Sequence, residues 1–284
     1  NTGWRGSVFI VDDNFIGNRK KLKQVTLPAL IRWQAKNNYP FFFTTETSLE
    51  IADDEELMDL MIQAGFYHTF VGIETPNLDS LQECGKYQNL NRNIIESIKS
   101  LQRKGFMVSG GFIIGFDHDS ETIFQQQLDL IQNSGIAIAM VGMLKAPKGT
   151  RLYDRLENEN RIVENMTGDN LDGTTNFLPR MGMKKLKEGY KNLLNFIYSK
   201  RQYYQRVKIF LKEYKVPSIG ITRVTWREIG AFFKSIWRLG IVEPGRKYYW
   251  KLILNNLFLH PKKFPLAVTL AIYGLHFRKV AQKL

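Results

Sequence analysis

The sequence is nearly without cysteine: Cys84 is the only one among 284 residues. One thiol cannot form an intramolecular disulfide, which points to a reducing compartment. Nor can it supply the several thiolates that hold an iron–sulfur cluster or a cysteine-only metal site. The four histidines, His68, His118, His260 and His276, lack metal-ligand spacing. His118, between Asp117 and Asp119, reads as a solvated loop histidine. There is no P-loop and no dinucleotide-binding glycine fingerprint, no low-complexity tract and no signal peptide. The chain begins at Asn1 and enters a strand-like run almost at once, as expected of a fragment or a processed chain. Phe264–Phe277 has 14 residues without Asp, Glu, Lys or Arg, short of the roughly 20 that span a bilayer. The favoured reading is a buried helix. The other is a segment lying in a membrane interface between Lys262, Lys263, Arg278 and Lys279.

Acidic residues are scarce in one half only. Residues 1–150 hold 14 Lys and Arg against 17 Asp and Glu, a net of −3. Residues 151–284 hold 26 against 10, a net of +16. The two regions therefore present different surfaces, and the basic one suits an anionic lipid surface, an acidic partner or nucleic acid. It contains aromatics (Tyr203, Tyr204, Trp226, Trp237) but no nucleic-acid motif, so no nucleic acid is expected.

What is present in abundance is apolar side chain, 44% of residues, enough for a large core. The first half repeats one unit: an apolar β-rich run, a polar residue at its end, a helical stretch. The runs are Val8–Val11, Phe41–Thr44, Thr69–Ile73, Met107–Gly115 and Ala137–Leu144. Almost wholly apolar, they predict strands buried on both faces of a parallel sheet. Between them, Asp53 with Glu56 predicts a capped helix ending at Gly65. Thr75-Pro76 predicts another start. Asn91 opens a helix with Ile94, Ile98 and Leu101 on one face, closed by Gly105. Phe124, Leu128 and Ile131 repeat the pattern before Gly135. Five strands alternating with four helices predict a parallel α/β fold, an open doubly wound sheet or part of a barrel. Beyond residue 150 the character changes. A polar connection over Thr167–Pro179 leads to a basic helix over Lys184–Leu211, whose apolar stripe is Leu186, Tyr190, Leu193, Leu194 and Ile197. Two further helical candidates cover Trp226–Leu239 and Tyr248–Leu259.

Four strand-like runs end in carboxylates: Asp12 and Asp13, Glu46, Glu74, and Asp117. The carboxyl ends of parallel strands form the functional face of such folds, so these would ring one mouth. The plain alternative is helix capping, which suits Asp but not Glu; Glu46 and Glu74 are the stronger pair. The glycines of Gly110-Gly111-Phe112-Ile113-Ile114-Gly115 would let a flat ligand approach the backbone.

Together these motifs resemble the cobalamin-dependent radical S-adenosylmethionine (SAM) enzymes. Val8-Phe9-Ile10-Val11-Asp12-Asp13-Asn14 resembles the end of that family's second barrel strand. Thr44-Thr45-Glu46 resembles the third, Gly72-Ile73-Glu74-Thr75-Pro76 the fourth, and Gly111-x-Ile113-x-Gly115 the fifth. Ala146-Pro147-x-Gly149-Thr150 resembles the turn after the sixth. Gly168-Asp169-Asn170, Asp172-Gly173, Asn176-Phe177 and Pro179-Arg180-Met181 are similar to an extension in the subgroup that methylates hopanoid lipids and bacteriochlorophyll side chains. The resemblance implies a partial (βα)6 barrel over residues 1–180 and a basic, mainly helical domain over residues 181–284.

It also implies roles. One of Asp12, Asp13 and Asn14, which stand where the family usually has Gly-Gly-Glu, would meet the SAM amino group. Glu46, with Thr45 beside it, and Glu74 would bind the ribose and methionine moiety. Lys86 would pair with the SAM carboxylate, Gly111, Ile113 and Gly115 would face adenine, and Leu144 would offer backbone contacts. The family's CxxxCxxC loop and cobalamin-binding domain have no counterpart in these residues. The chain is therefore expected to be inactive alone and, in a complete protein, to belong to a methylase using SAM, a 4Fe-4S cluster and cobalamin on an unactivated carbon of a lipophilic small molecule. It is expected in the cytoplasm, peripheral on the inner membrane face, with an anionic membrane surface as candidate partner. Two other readings compete: a lyase or hydrolase holding Mg²⁺ or Mn²⁺ between Asp13, Glu46 and Glu74, and a non-enzymatic module for membrane surfaces.

Overall fold

A computed structural model describes residues 3–163, 172–217 and 226–283. Strands β1 (Gly6–Ile10), β2 (Phe41–Thr47), β3 (Phe66–Glu74), β4 (Met107–Ile114) and β5 (Ile138–Met143) pair in chain order, all parallel. They form a curled half-barrel. Helices cross over between successive strands, as parallel pairing requires. Helix α1 (Arg19–Lys21) passes through a π-helical stretch into α2 (Leu27–Lys36). Then come α3 (Glu55–Ala64), α4 (Leu78–Glu83), α5 (Ile94–Lys104) and α6 (Ile123–Ser134). The starts are shifted from those predicted. Asp54, Asn77 and Asn93 accept the N-cap hydrogen bonds in place of Asp53, Thr75 and Asn91. Asp53 is engaged by Arg92 instead. The predicted closing glycines hold, with Gly65, Gly105 and Gly135 all at positive φ.

The sheet corrects the expectation of burial on both faces. Along β2, Phe43, Thr45 and Thr47 are buried, while Phe42, Thr44 and Glu46 are half-buried. The same alternation runs through Phe70 to Glu74 and through Ile138 to Met143. One face packs on the helices through residues such as Leu57, Met61, Ile98, Leu101 and Ile131. The other is the concave face of an unclosed barrel. A nearly apolar strand does not betray this asymmetry, because its half-open side also carries Phe, Ile and Met.

In the second half lie α7 (Arg151–Asn158), α8 (Met183–Ile197), α9 (Lys200–Glu213) and α10 (Trp226–Ser235), followed by α11 (Arg246–Leu259) and α12 (Phe264–Ala281). The single helix predicted over Lys184–Leu211 is two, broken at Tyr198-Ser199. Its predicted stripe is buried throughout. The segment Phe264–Phe277 lies within α12, whose Ala267, Val268, Leu270, Ala271 and Gly274 are buried. Among the described residues no helix is long and apolar enough to cross a membrane.

One apolar core runs from the sheet through α6 into α8, α9 and α12. The approach is close: a Cβ on Gly135, at φ 75°, would stand 2.9 Å from the Phe210 backbone nitrogen. The outer edge of β5 is taken up by tyrosines from α8 and its end. Tyr190 donates to the Val141 carbonyl at 3.1 Å. The Tyr198 hydroxyl donates to the Ala139 carbonyl at 2.7 Å and accepts from the Ala139 amide at 3.2 Å. Burial pushes the Tyr198 phenol up to about 12.

Arg206 binds these parts together. Fully buried, it lies over the rings of Tyr198 and Tyr203, 5.6 and 5.4 Å from their centroids. Its guanidinium donates to the Ile197 carbonyl at 2.8 Å, to Gln132 Oε1 at 3.2 Å and to the Ala137 carbonyl at 3.3 Å. Ile197 lies at the carboxyl end of α8, where a cation is favoured. Burial lowers the Arg206 pKa, partly offset by the neighbouring tyrosines. Replacing Arg206 with Ala should lower unfolding free energy by about 3 kcal/mol or more, since carbonyls lose a charged donor and two rings lose their packing. Lysine should restore little of it, lacking the planar fork. Chemical denaturation of the three proteins checks both statements.

Candidate functional site

The half-open face is where ligand chemistry can occur, and its carboxyl-terminal rim carries two charged groups of residues. The first is built by β3. Its pairing with β4 slips between Gly72 and Glu74, a β-bulge, of the kind that re-aims side chains next to active sites. Glu74 has φ 68°, and the Thr75 amide donates across it to the Ile73 carbonyl at 3.0 Å. This is a tight γ-turn, a strained conformation for a residue with a Cβ. The turn is held from outside: Gln127 Nε2 donates to the carbonyls of Glu74 and Ile113, both at 3.1 Å. As a result the Glu74 carboxylate lies back over Gly72, 2.9 Å from Lys86 Nζ. A Cβ on Gly72 would meet Glu74 Oε1 at 2.7 Å and Lys86 Nζ at 3.0 Å. The glycine is thus what lets the ion pair lie against the strand.

The second group joins β1 and β2. Glu46, next to last in β2, lies on the open face, and burial first, then the negative charge of Asp13, raises its pKa. Asp12 Oδ1 accepts from the Asn14 amide at 3.0 Å, and Asn14 Oδ1 accepts from the Ser48 amide at 3.1 Å. The side chains of Asp12 and Asn14 therefore order the loops, while Asp13 is the one electrostatically coupled to Glu46. Thr45 turns the other way. Its side chain is buried on the helix side and donates to the Ile10 carbonyl at 3.2 Å. Toward the amino ends of the strands the same open face holds His68, 2.8 Å from Ser109 Oγ, with burial lowering its pKa to about 4.

Farther round the rim the backbone is already engaged. Gly111 lies on the open face beside Phe70, and Ile113 packs in a small apolar cluster with Phe116, Leu144 and Phe177. Asp119, buried, accepts from the Gly115 and Phe116 amides at 2.8 and 3.1 Å and from Ser80 Oγ at 2.9 Å. The Leu144 amide donates to Ile114 at 2.8 Å, and its carbonyl accepts from Thr175 Oγ1 at 2.7 Å. Asn176 pairs with both backbone groups of Ala146, each at 2.8 Å. Lys145, buried, is 2.9 Å from Asp172. The segment Asp172–Phe177 thus laces the exit of β5 to the helical half. Neither Lys145 nor Asp119 is a site candidate by sequence, since a lysine after a strand and an aspartate in a loop carry no signal. Gly168, Asp169 and Asn170 lie outside the described residues.

Asp117, the fourth carboxylate expected at the mouth, serves another purpose. Its side chain is 2% exposed and lies 2.6 Å from Arg161, 3.1 Å from Arg155 and 3.5 Å from Arg180. Burial alone would raise its pKa, but the Arg161 hydrogen bonds and the three positive charges together lower it. His118 is 3.0 Å from Glu83, which also holds Arg155 at 2.6 Å. The expected ring of four is therefore two pairs plus a structural hub. Among the described residues no group of three or more His, Cys, Asp or Glu side chains is placed to hold a metal ion.

The chain is similar to several known proteins. Residues 150–284 match the family described as Domain of unknown function (DUF4070). The chain is 34% identical over 286 aligned residues to an uncharacterized methyltransferase of Synechocystis sp., covering 97% of this chain and 52% of that protein. It is 31% identical to the hopanoid C-2 methylase of Rhodopseudomonas palustris, covering 90% of this chain and 49% of the relative. It is 27% identical to the bacteriochlorophyllide d C-12(1)-methyltransferase of Chlorobaculum tepidum, covering 59% and 34%. The chain spans about half the length of the first two of these curated relatives.

Because Asp117 has a lowered pKa when folded, its contribution to stability is complete above the ordinary aspartate range, about pH 4, and is lost as pH falls through the lower folded value. Asp117→Asn should cost roughly 2 kcal/mol at neutral pH, between the values for exposed and buried ion pairs. The gap between variant and parent should close in acid. Denaturation midpoints measured across that range test the sign.

Proposed function

The chain belongs to the family of the hopanoid and bacteriochlorophyllide methylases, and from that premise we propose that it is the substrate-side part of a cobalamin-dependent radical SAM methylase. The observation that carries this reading is the Glu74–Lys86 pair lying over Gly72, with Glu46 one strand away on the same open face. SAM presents an ammonium, a carboxylate, a ribose diol and a flat adenine. Glu46 and Glu74 supply acceptors for the ammonium and the diol. Lys86 supplies a cation for the carboxylate, exchanging its partner Glu74 for the ligand. Gly72 and Gly111 leave a strip of strand without side chains for a planar group. These residues fit SAM; when bound, it would supply the carbon-centred radical chemistry of the proposed family.

A 4Fe-4S cluster does not fit this chain, which offers one exposed cysteine. We place the cluster and cobalamin on residues beyond these 284. The chain's own share is to orient SAM and to shield the reacting centre within the curved sheet. The proposed reaction is methylation of an unactivated carbon in a lipophilic small molecule, met on the cytoplasmic side of the membrane. A divalent-metal lyase or hydrolase draws no support from the rim, where Asp13, Glu46 and Glu74 do not form a ligand set.

Calorimetric titration with SAM should reveal one site. Glu74→Gln and Lys86→Ala should each weaken it roughly ten- to hundredfold, as expected when a hydrogen bond to a charged group is lost. Unchanged affinity in both variants would sink the assignment. Tight Mg²⁺ binding abolished by Glu46→Gln would favour the metal enzyme. Iron reconstitution of this chain alone should yield no cluster absorbance and no SAM cleavage; recovery of both would show that the fragment is self-sufficient.

A further inference from the structure

A groove of about 570 Å³ lies between α9 and α11, away from the half-barrel's open face. Arg201, Lys208 and Lys212 of α9, Lys251 of α11 and Lys263 line it, and among the described residues no carboxylate does. Among the described residues no acidic group stands within ion-pair distance of these five cations. Five like charges gathered without counter-charge call for an anion. Asn256, 2% exposed, also lines the groove, and its Nδ2 donates to the Leu252 carbonyl at 2.8 Å. The site therefore asks for a ligand with phosphate oxygens.

The surroundings of the groove are apolar and exposed. On α11, Lys247, Lys251, Leu254 and Phe258 recur at helical spacing, so one stripe runs from cation to apolar side chain. Phe258 is 74% exposed. On α10 and the π-helical stretch after it, Trp226, Phe233 and Trp237 follow the same spacing and are 87%, 64% and 65% exposed. Phe232 packs edge-on against Phe264, next to Lys263, which brings α10 to the groove's end. Aromatic and leucine side chains beside lysines are the composition of a membrane-interface surface.

We propose that this groove takes the phosphoglycerol head group of an anionic lipid while the stripes of α10 and α11 enter the membrane interface. The lysines and Arg201 would hold the phosphate. The interfacial element is thus α10–α11 rather than the Phe264–Phe277 segment. The proposal rests on the groove and not on the methylase reading, so vesicle binding and SAM binding can fail separately.

The test is co-sedimentation of the 284-residue chain with vesicles of phosphatidylcholine, with and without phosphatidylglycerol. Binding should require phosphatidylglycerol and fall at high salt. Lys208→Gln with Lys251→Gln should weaken it about thirtyfold, from the loss of two charges near the surface. Phe258→Ser with Trp237→Ser, at exposed positions that leave the core untouched, should weaken it about tenfold or more. Unfolding midpoints matching the parent confirm that both variants are folded. Equal binding to neutral vesicles, no binding at low salt, or parental binding by the folded lysine variant would overturn the proposal. So would soluble glycerol phosphate bound as tightly as the vesicles, which would make the ligand a free phosphate.

Discussion

A parallel sheet that curls without closing has one concave face and two strand edges to settle, and the rest of this molecule follows from how it does so. Helices α2, α3, α5 and α6 cover the convex face, and their crossovers are what parallel pairing demands. The edge of β5, an unpaired row of amides and carbonyls, would be a site for unwanted strand addition. Tyr190 and Tyr198 occupy it with phenolic hydroxyls. Their positions depend on α8, and the end of α8 depends on Arg206. A cation with no carboxylate partner among the described residues is thereby retained in the core, held by carbonyls and aromatic faces through its terminal nitrogens while Nε goes unpartnered.

The concave face stays half open, and strain is concentrated on its rim. Glu74 adopts a backbone conformation that a residue with a Cβ does not choose freely. Gln127 fixes it by bridging two strands. The result is an acid and a lysine held over a strip of glycine. On the other side of the rim, acidic and basic residues do structural work instead. Asp117 collects three arginines, and Asp119 occupies the amides of the Gly115 turn. Carboxylates at equivalent sequence positions thus divide by what reaches them from the second half of the chain.

The charge imbalance between the halves has a spatial counterpart. The basic excess is not spread evenly, since part of it gathers around the groove between α9 and α11. The half-barrel and the basic helices nevertheless share one apolar core, so any ligand held at one would be anchored to the scaffold that positions the other.

Local pattern was enough to read the α/β alternation, the five strands, the glycine helix ends at Gly65, Gly105 and Gly135, the buried stripe of α8 and the family. These depend on residues within a few positions of one another, where spacing and composition carry the information. Tertiary structure alone decided which way each side chain turned and what met it. Thr45 faces the helices because strand register assigns it there. Asp53 gives up its predicted cap because Arg92, 39 residues on, claims it. Asp117 leaves the mouth because Arg155, Arg161 and Arg180 converge on it. The run Phe264–Phe277 became core because α8, α9 and α11 surround it, while the exposed apolar surface fell to α10 and α11. Each of these outcomes is set by a partner distant in sequence, and such a partner becomes visible only when the chain has folded.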